Sequence, residues 1–388
     1  MIILLKKQEM TGSGPSNSPT KTLTARTFLH YINKNFPNAS LQIAWPHQVK
    51  GGFMPIRVAI NGFGRIGRCL ARIIATEVKD IELVVINSRA GADVHAHLLR
   101  HDSVHGAFPG TVEARSDRLI INGKDVHLTQ IDAAPENLPW KEMGVDVVLE
   151  STGAFRDRAS ISGHLTAGAK RVILSAPGKK IDGTFVYGVN HHTFDPARHF
   201  IISNASCTTN CLAPVVKVLH ENFEVQHGLM TTVHSYTMDQ RLLDGSHSDF
   251  RRARAAALSM VPTSTGAARS VTEVIPELKG RLDGLAIRVP TPNVSIIDFV
   301  CTVGRATTAE EVNQAFLTAQ EGDLKGVLHV AAEPLVSIDY NGSPFSATLD
   351  SELTNVMGGN LVKVMAWYDN EMGFSHRMLD LAVYMGSR

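Results

Sequence analysis

The segment at residues 56–77 narrows the fold more than any other. Ile56-Arg-Val-Ala-Ile-Asn61 reads as a short buried strand, Gly62-Phe-Gly64-Arg65-Ile66-Gly67 spells G-x-G-x-x-G, and Arg68 to Glu77 has helical periodicity through Leu70, Ile73 and Ile74. A strand, this glycine turn and a helix, in that order, open a dinucleotide-binding unit. Gly62 allows the tight turn, Gly64 lets a pyrophosphate approach the backbone, and Gly67 lets the helix pack on the strand, with phosphate held at the helix amino terminus.

For NAD, a carboxylate about 20 residues after the glycines accepts from the ribose 2′-hydroxyl. Here the second strand, Glu82-Leu-Val-Val-Ile86, ends in Asn87-Ser88-Arg89. No acid stands there to repel a 2′-phosphate, and Ser88 and Arg89 are placed to bind one. The reading favours NADP; the alternative is NAD, with Asn87 or Ser88 on a plain ribose and Arg89 a solvated turn residue. Further buried-type strands, Asp146–Glu150 before Ser151-Thr152-Gly153 and Arg171–Ser175 before Ala176-Pro-Gly178, alternate with helical segments. The class is therefore α/β, with a doubly wound parallel sheet that binds ligand at the carboxyl ends of its strands. From about residue 225, longer runs such as Ser295–Val303 and Leu361–Tyr368 suit a second, α+β domain with a mostly antiparallel sheet.

A chain of 388 residues predicts two or three domains. Lys+Arg 38 against Asp+Glu 37, with 44% hydrophobic residues, is the balance of a globular protein and not of a nucleic-acid binder. The net +1 is uneven. Residues 1–53 hold six Lys/Arg and one acid, leaving 32 basic and 36 acidic residues beyond them. That segment is rich in Ser, Thr, Asn, Gly and Pro and is read as a disordered or processed leader or an upstream mis-called start, with a boundary near Met54, and an organellar transit peptide is the alternative. Four cysteines are too few for a disulfide scaffold, Met1–Leu5 is too short for a signal peptide, and no apolar stretch reaches about 20 residues. The expectation is a cytoplasmic protein with no membrane partner, or a plastid or other organellar one if the leader is a transit peptide.

Ser203-Asn-Ala-Ser206-Cys207-Thr208-Thr-Asn-Cys211 places a cysteine at the start of a helix predicted from about Thr208 to Glu221. Unpaired helix-terminal N–H groups there lower a thiol pKa and favour the thiolate. Cys211, one turn further on, reads as core.

This segment, Asn61-Gly-Phe-Gly-Arg-Ile-Gly-Arg68, His234-Ser-Tyr-Thr237, Pro262-Thr-Ser-Thr-Gly-Ala-Ala268, Arg288-Val-Pro-Thr-Pro-Asn293 and Trp367-Tyr-Asp-Asn-Glu371 together resemble the phosphorylating, tetrameric glyceraldehyde-3-phosphate dehydrogenases, from about Met54 to Arg388. The resemblance implies oxidation of glyceraldehyde 3-phosphate to 1,3-bisphosphoglycerate with NADP or NAD, inorganic phosphate as co-substrate, no metal, a homotetramer, and a place in glycolysis, gluconeogenesis or carbon fixation. It implies Cys207 as the nucleophile and His234 as its base, through a thiohemiacetal and a thioester. By the same resemblance Thr237 and Arg288 hold the substrate phosphate; Ser206, Thr208, Thr265 and Gly266 cradle the attacking phosphate; and Arg65, Ile66, Thr152, Ser175 and Asn370 join the glycines at the cofactor. The implied domains are 54–206, completed by a carboxyl-terminal helix at 371–388, and a catalytic domain at 207–370.

Three departures stand out. Most relatives have Asn-Asp where this chain has Asn87-Ser88, and Pro where it has Ser246, a cofactor residue by the resemblance to NADP-using members, on the loop that reaches towards a neighbouring subunit's cofactor. Gln130-Ile131-Asp132 replaces Glu-Arg-Asp, removing an adenine-side arginine. Related alternatives are erythrose-4-phosphate dehydrogenase, or a binding or scaffold role beside catalysis. His95, His97, His101 and His105 form H-x-H-x3-H-x3-H, which would put His97, His101 and possibly His105 on one helical face, although family members carry a similar stretch without metal. Arg251-Arg-Ala-Arg254 is read as a loop near the cofactor and subunit interface, not as an RNA patch.

Overall fold

A computed structural model describes residues 54–388, so the readings made for residues 1–53 lie outside the described residues. The first sheet has nine strands, in the order Gly183–Thr184, Ile201–Ser203, Arg171–Leu174, Val147–Glu150, Ile56–Asn61, Ile81–Asn87, Lys124–Thr129, Arg118–Ile121, Val112–Arg115. The first seven run parallel and the last two form an antiparallel edge. From Ile56–Asn61 the chain steps outward first on one side and later on the other. The order reverses between Ile56–Asn61 and Val147–Glu150, the place where such sheets open a ligand crevice.

Val58, Ala59 and Ile60 are fully buried, as are Leu70, Ala71 and Ile73 on the facing stripe of the helix Arg65–Thr76. Each large aliphatic side chain so removed from water contributes about 1.5–3 kcal/mol. Trp140 closes the core on another side, packed with Val148, Ile161 and Val172.

The second sheet runs Val261–Ser264, Leu282–Val289, Val225–Ser235, Ser295–Val303, Leu361–Tyr368, Ala347–Asp350, Leu328–Ala331, with Asn355–Met357 also paired to Leu361–Tyr368. It is mostly antiparallel, with two parallel pairs. One of these sets His234 directly beside Arg288. The helix Cys207–Phe223, longer than predicted by one residue at the start and two at the end, buries Leu212, Val215, Val216 and Leu219 against this sheet. Three residues separate it from Ser203, the end of a first-sheet strand, so one short turn delivers Cys207 between the two sheets. The helix Met372–Gly386 then packs back on Arg65–Thr76 and on strand Ile56–Asn61, and Gly386 lies against Ile56.

Candidate active site

Cys207 is the first residue of its helix. Ser206 is the N-cap, its Oγ accepting from the Thr209 N–H at 3.1 Å. Ala205 before it has φ +56°, a left-handed value uncommon outside glycine, and Asn210 holds the turn by donating Nδ2 to the carbonyls of Asn204 (2.6 Å) and Ser206 (3.0 Å). The thiol of Cys207 then lies 3.5 Å from His234 Nε2. On the far side of the ring the Ser235 carbonyl is 2.7 Å from Nδ1 and 3.0 Å from Arg288 Nη1, which itself sits 2.5 Å from Nδ1. The carbonyl and the guanidinium make opposite demands on Nδ1; because Arg288 Nη1 also donates to the Ser235 carbonyl, we assign the ring proton to Nδ1, which leaves the Nε2 lone pair turned to the thiol.

Burial, reinforced by the Arg288 charge, brings the His234 pKa down to about 3, so the imidazole is neutral and able to take a proton. Burial also pushes the Cys207 thiol up, opposed by the Arg288 guanidinium and by hydrogen bonds from Thr208 and its own backbone. This corrects the expectation from helix position: the helix start does favour the thiolate, but desolvation outweighs it. The geometry describes a neutral thiol–imidazole pair that ionises as it reacts.

The phosphate residues divide. Arg288 has a buried Nε with no partner among the described residues, an orphan donor that suits an anion. Thr237 donates to Asp239, which pairs with Arg252. Thr208 turns its hydroxyl to Tyr368 (2.9 Å), whose own hydroxyl also meets Thr232 (2.8 Å). Ser206 is engaged as the cap. Thr265 accepts from the Ala267 N–H, and Gly266 starts the helix Ala267–Val274 with open space where a Cβ would stand.

In the glycine turn, Gly62 has φ +96° and a Cβ there would lie 2.6 Å from the Thr152 backbone nitrogen. At Gly67 a Cβ would meet the Gly62 carbonyl at 2.2 Å, whereas at Gly64 it would meet nothing within 4 Å. Two glycines are thus required by the protein's own packing, and the third faces open space at the amino end of a twelve-residue helix. A dinucleotide pyrophosphate fits that cradle, against the N–H groups of Arg65 and Ile66. Thr152 is held by Glu150, whose carboxylate accepts from the Thr152 N–H (2.8 Å) and hydroxyl.

The comparisons with known proteins agree over this same stretch. Residues 56–158 match the family profile described as glyceraldehyde 3-phosphate dehydrogenase, NAD binding domain, and residues 206–370 match its C-terminal domain. Similar relatives are glyceraldehyde-3-phosphate dehydrogenase of Geobacillus stearothermophilus, 55% identical over 335 residues (86% of this chain, 99% of the relative). Another is glyceraldehyde-3-phosphate dehydrogenase 2 of Trichormus variabilis, 57% identical over 329 residues (84% and 97%). The chain belongs to the glyceraldehyde-3-phosphate dehydrogenase family.

Within that family frame, several sequence readings change. Asn87 is buried and engaged by the protein, its Nδ2 donating to Asn61 Oδ1 (2.9 Å) and the Ile131 carbonyl (3.1 Å), its Oδ1 accepting from Thr129 and the Ile131 N–H. Ser88 and the exposed Arg89 remain at the strand end, Arg89 Nε 3.3 Å from Asp132. The Arg65 side chain is engaged by Glu371 and Asp102. Ser175 ends its strand with its N–H on the Glu150 carbonyl. Ser246 lies on an exposed turn where its carbonyl accepts from Arg241.

The histidine run does not form one helical face. The helix Ala92–Arg100 stops before His101, because His101 and Asp102 enter a short hairpin with Gly106–Ala107 and Asp102 is drawn to Arg65. His95 packs on Phe63, His97 lies against His101 with the rings tilted by 54°, and His105 pairs with Glu371 at 2.8 Å. Among the described residues Cys69, His105 and Glu371 lie close enough to share an ion, but Arg65 already supplies their positive charge.

Sequence reasoning missed the buried line Trp140–His164–Glu150–Asn61–Asn87. Trp140 Nε1 donates to His164 Nδ1 (2.9 Å), so His164 Nε2 carries the proton toward Glu150 (3.1 Å), which also accepts from Asn61 at 2.6 Å. These groups tie together the carboxyl ends of adjacent strands, and only a strand-final polar residue after an apolar run signalled them.

Proposed function

We propose that this chain oxidises glyceraldehyde 3-phosphate and phosphorylates the product to 1,3-bisphosphoglycerate, reversibly. The observation that carries the reading is Cys207 Sγ at 3.5 Å from a neutral His234 Nε2, with Arg288 beside both. Cys207 adds to the aldehyde carbon while its proton passes to Nε2; the oxyanion so formed meets the Cys207 N–H and the newly protonated imidazole. Thr237 and Arg288 hold the substrate's own phosphate. NAD(P), when bound, supplies the acceptor for the hydride that leaves the thiohemiacetal carbon. The resulting thioester is opened by inorganic phosphate near Thr265, Gly266, Ser206 and the Thr208 backbone, returning the thiol.

Gly62, Gly64, Gly67, Arg65, Ile66, Thr152, Ser175 and Asn370 hold the cofactor, in a dinucleotide-binding domain of residues 54–206 completed by the carboxyl-terminal helix, with residues 207–370 as the catalytic domain. We read the cofactor as NADP as well as NAD, because no carboxylate ends the second strand and Ser88 and Arg89 do. A homotetramer accounts for the exposed Met238, Leu242, Leu243, Phe250, Leu258 and Met260 of the loop that carries Ser246. Among the described residues no helix is long and apolar enough to cross a membrane, and a cytoplasmic place agrees with that. The test is NAD(P)H formation from glyceraldehyde 3-phosphate with and without inorganic phosphate, in the wild type and in Cys207→Ser. Phosphate-dependent turnover lost in the variant is expected; full turnover in Cys207→Ser would sink the assignment.

A further inference from the structure

Asn370 stands one residue before Glu371, the partner of Arg65, and its side chain reaches the strand that carries His234. Its Oδ1 lies 2.8 Å from Ser235 Oγ and 3.0 Å from Ser295 Oγ. Ser235 is closed to solvent and Ser295 nearly so, and the two residues are joined by a hydrogen bond from the Ser235 N–H to Ser295 Oγ at 3.1 Å. That bond uses one of the two acceptor lone pairs of Ser295, while its hydroxyl hydrogen goes to Asn370 Oδ1. Two hydroxyl donors thus end on one amide oxygen.

The consequence is a fixed amide. With Oδ1 held twice, Nδ2 has to point the other way, and among the described residues it has no protein partner. Unlike the orphan donors buried elsewhere in the chain, it is not sealed from solvent. An amide NH2 held this way offers two N–H donors to a carbonyl and rejects a donor. The Ser235 carbonyl also accepts from His234 Nδ1 and Arg288 Nη1, so one residue sets the ring of the base and the amide of Asn370 together.

We propose that Ser235 and Ser295 are positioning residues which lock the Asn370 amide in the orientation that recognises the carboxamide oxygen of the nicotinamide. This rests on the reading of Asn370 as a cofactor residue. The carboxamide oxygen is the one acceptor on that ring, and a flipped Asn370 would set an oxygen against it. Discrimination between the nicotinamide end and the rest of the dinucleotide is therefore built into two serines that do not touch the ligand.

The test measures dissociation constants of the full-length protein for NADH and for ADP-ribose, which lacks nicotinamide. The variants are Ser295→Ala, Ser235→Ala, Asn370→Ala and the double variant Ser295→Ala/Asn370→Ala. Each serine change should weaken NADH about three- to tenfold, as expected for one hydrogen bond, and leave ADP-ribose unchanged. Ser295→Ala should add nothing once Asn370 is gone. Ser235→Ala keeps the backbone N–H bond to Ser295, so it stays informative if Ser295→Ala folds poorly. Weakening of NADH by Asn370→Ala with no effect of either serine change would overturn the proposal and leave the Asn370 reading intact. Equal losses for both ligands in the serine variants would also overturn it, as a general structural effect. An unchanged NADH to ADP-ribose ratio in Asn370→Ala would remove the underlying cofactor reading itself.

Discussion

Arg65 and Glu371 meet as a two-point ion pair, Nε and Nη2 of the guanidinium 2.8 and 2.5 Å from the two carboxylate oxygens, across 306 positions of sequence. The third guanidinium arm reaches Asp102 at 2.5 Å. Removing the cation leaves two poorly solvated carboxylates facing each other. For a buried pair the loss is about 3–5 kcal/mol; Arg65 is 26% exposed, so Arg65→Met should cost nearer 2–3 kcal/mol, read as a lower unfolding midpoint.

The same pair sets an acid dependence. Burial raises the Glu371 and Asp102 carboxyls, but hydrogen bonds and charge from Arg65 outweigh it and hold both below their ordinary values. Carboxyls depressed in the folded state bind fewer protons there than when unfolded. Their stabilisation is complete above about pH 4–5 and fades as pH falls. Unfolding midpoints of the wild type should therefore drop below that range, and Arg65→Met should show a shallower slope. Parallel curves for the two proteins would refute this account.

Reactivity of Cys207 depends on Arg288 by charge as well as on His234 by contact. Arg288 lowers the thiol pKa against the effect of burial, so Arg288→Gln should move the pH profile of iodoacetamide alkylation to higher pH. His234→Asn should lower turnover by about 10²–10⁴, the usual range for a positioned acid–base group. An alkylation profile unchanged in Arg288→Gln would show that the guanidinium does not act on the thiol.

The glycine turn separates packing from ligand approach. Gly67→Ala forces a Cβ to 2.2 Å from the Gly62 carbonyl and should lower the unfolding midpoint sharply, whereas Gly64→Ala meets no protein atom and should leave it unchanged. Dinucleotide affinity should nonetheless fall about tenfold or more in Gly64→Ala, because the new methyl fills the phosphate approach. Isothermal calorimetry with NADH checks both; normal affinity in Gly64→Ala would place the pyrophosphate elsewhere.

The proposed use of NADP makes Ser88 the position at which to test coenzyme choice. A carboxylate there faces any 2′-phosphate with like charge, so Ser88→Asp should cut kcat/KM for NADPH relative to NADH about tenfold or more. The ratio of the two specificity constants before and after the change is the measurement, and an unchanged ratio would remove the 2′-phosphate argument.

The dinucleotide fold was legible because its evidence is local: Gly62, Gly64 and Gly67 sit between a short apolar strand and an amphipathic helix, and nothing distant is needed to read them. Cys207 and His234 were legible through the motifs around them, and their contact agrees with it. Side-chain direction was not legible. Arg65 and Asn87 both stand where a ligand contact is expected, yet Arg65 answers to Glu371 and Asn87 to Asn61 and Thr129, partners that only the folded sheet supplies. The helix at His97 looked long enough to carry His101 because its end is set by the pull of Asp102 toward Arg65. Glu150 escaped notice because a single acid after Val147-Val-Leu149 resembles a strand end reaching water, whereas four donors hold it in the dark.

The helix Met372–Gly386 is the element that covers Arg65–Thr76 and strand Ile56–Asn61. On the ribosome, the first strand emerges more than 300 residues before the surface that shelters it. The nucleotide cradle is thus among the earliest parts of this fold to be synthesised and among the last to be finished. A nascent chain halted before residue 370 carries every glycine of the turn and the reactive thiol with no Asn370 and no Glu371 to brace them. During that interval its apolar helix face is the natural charge of a chaperone.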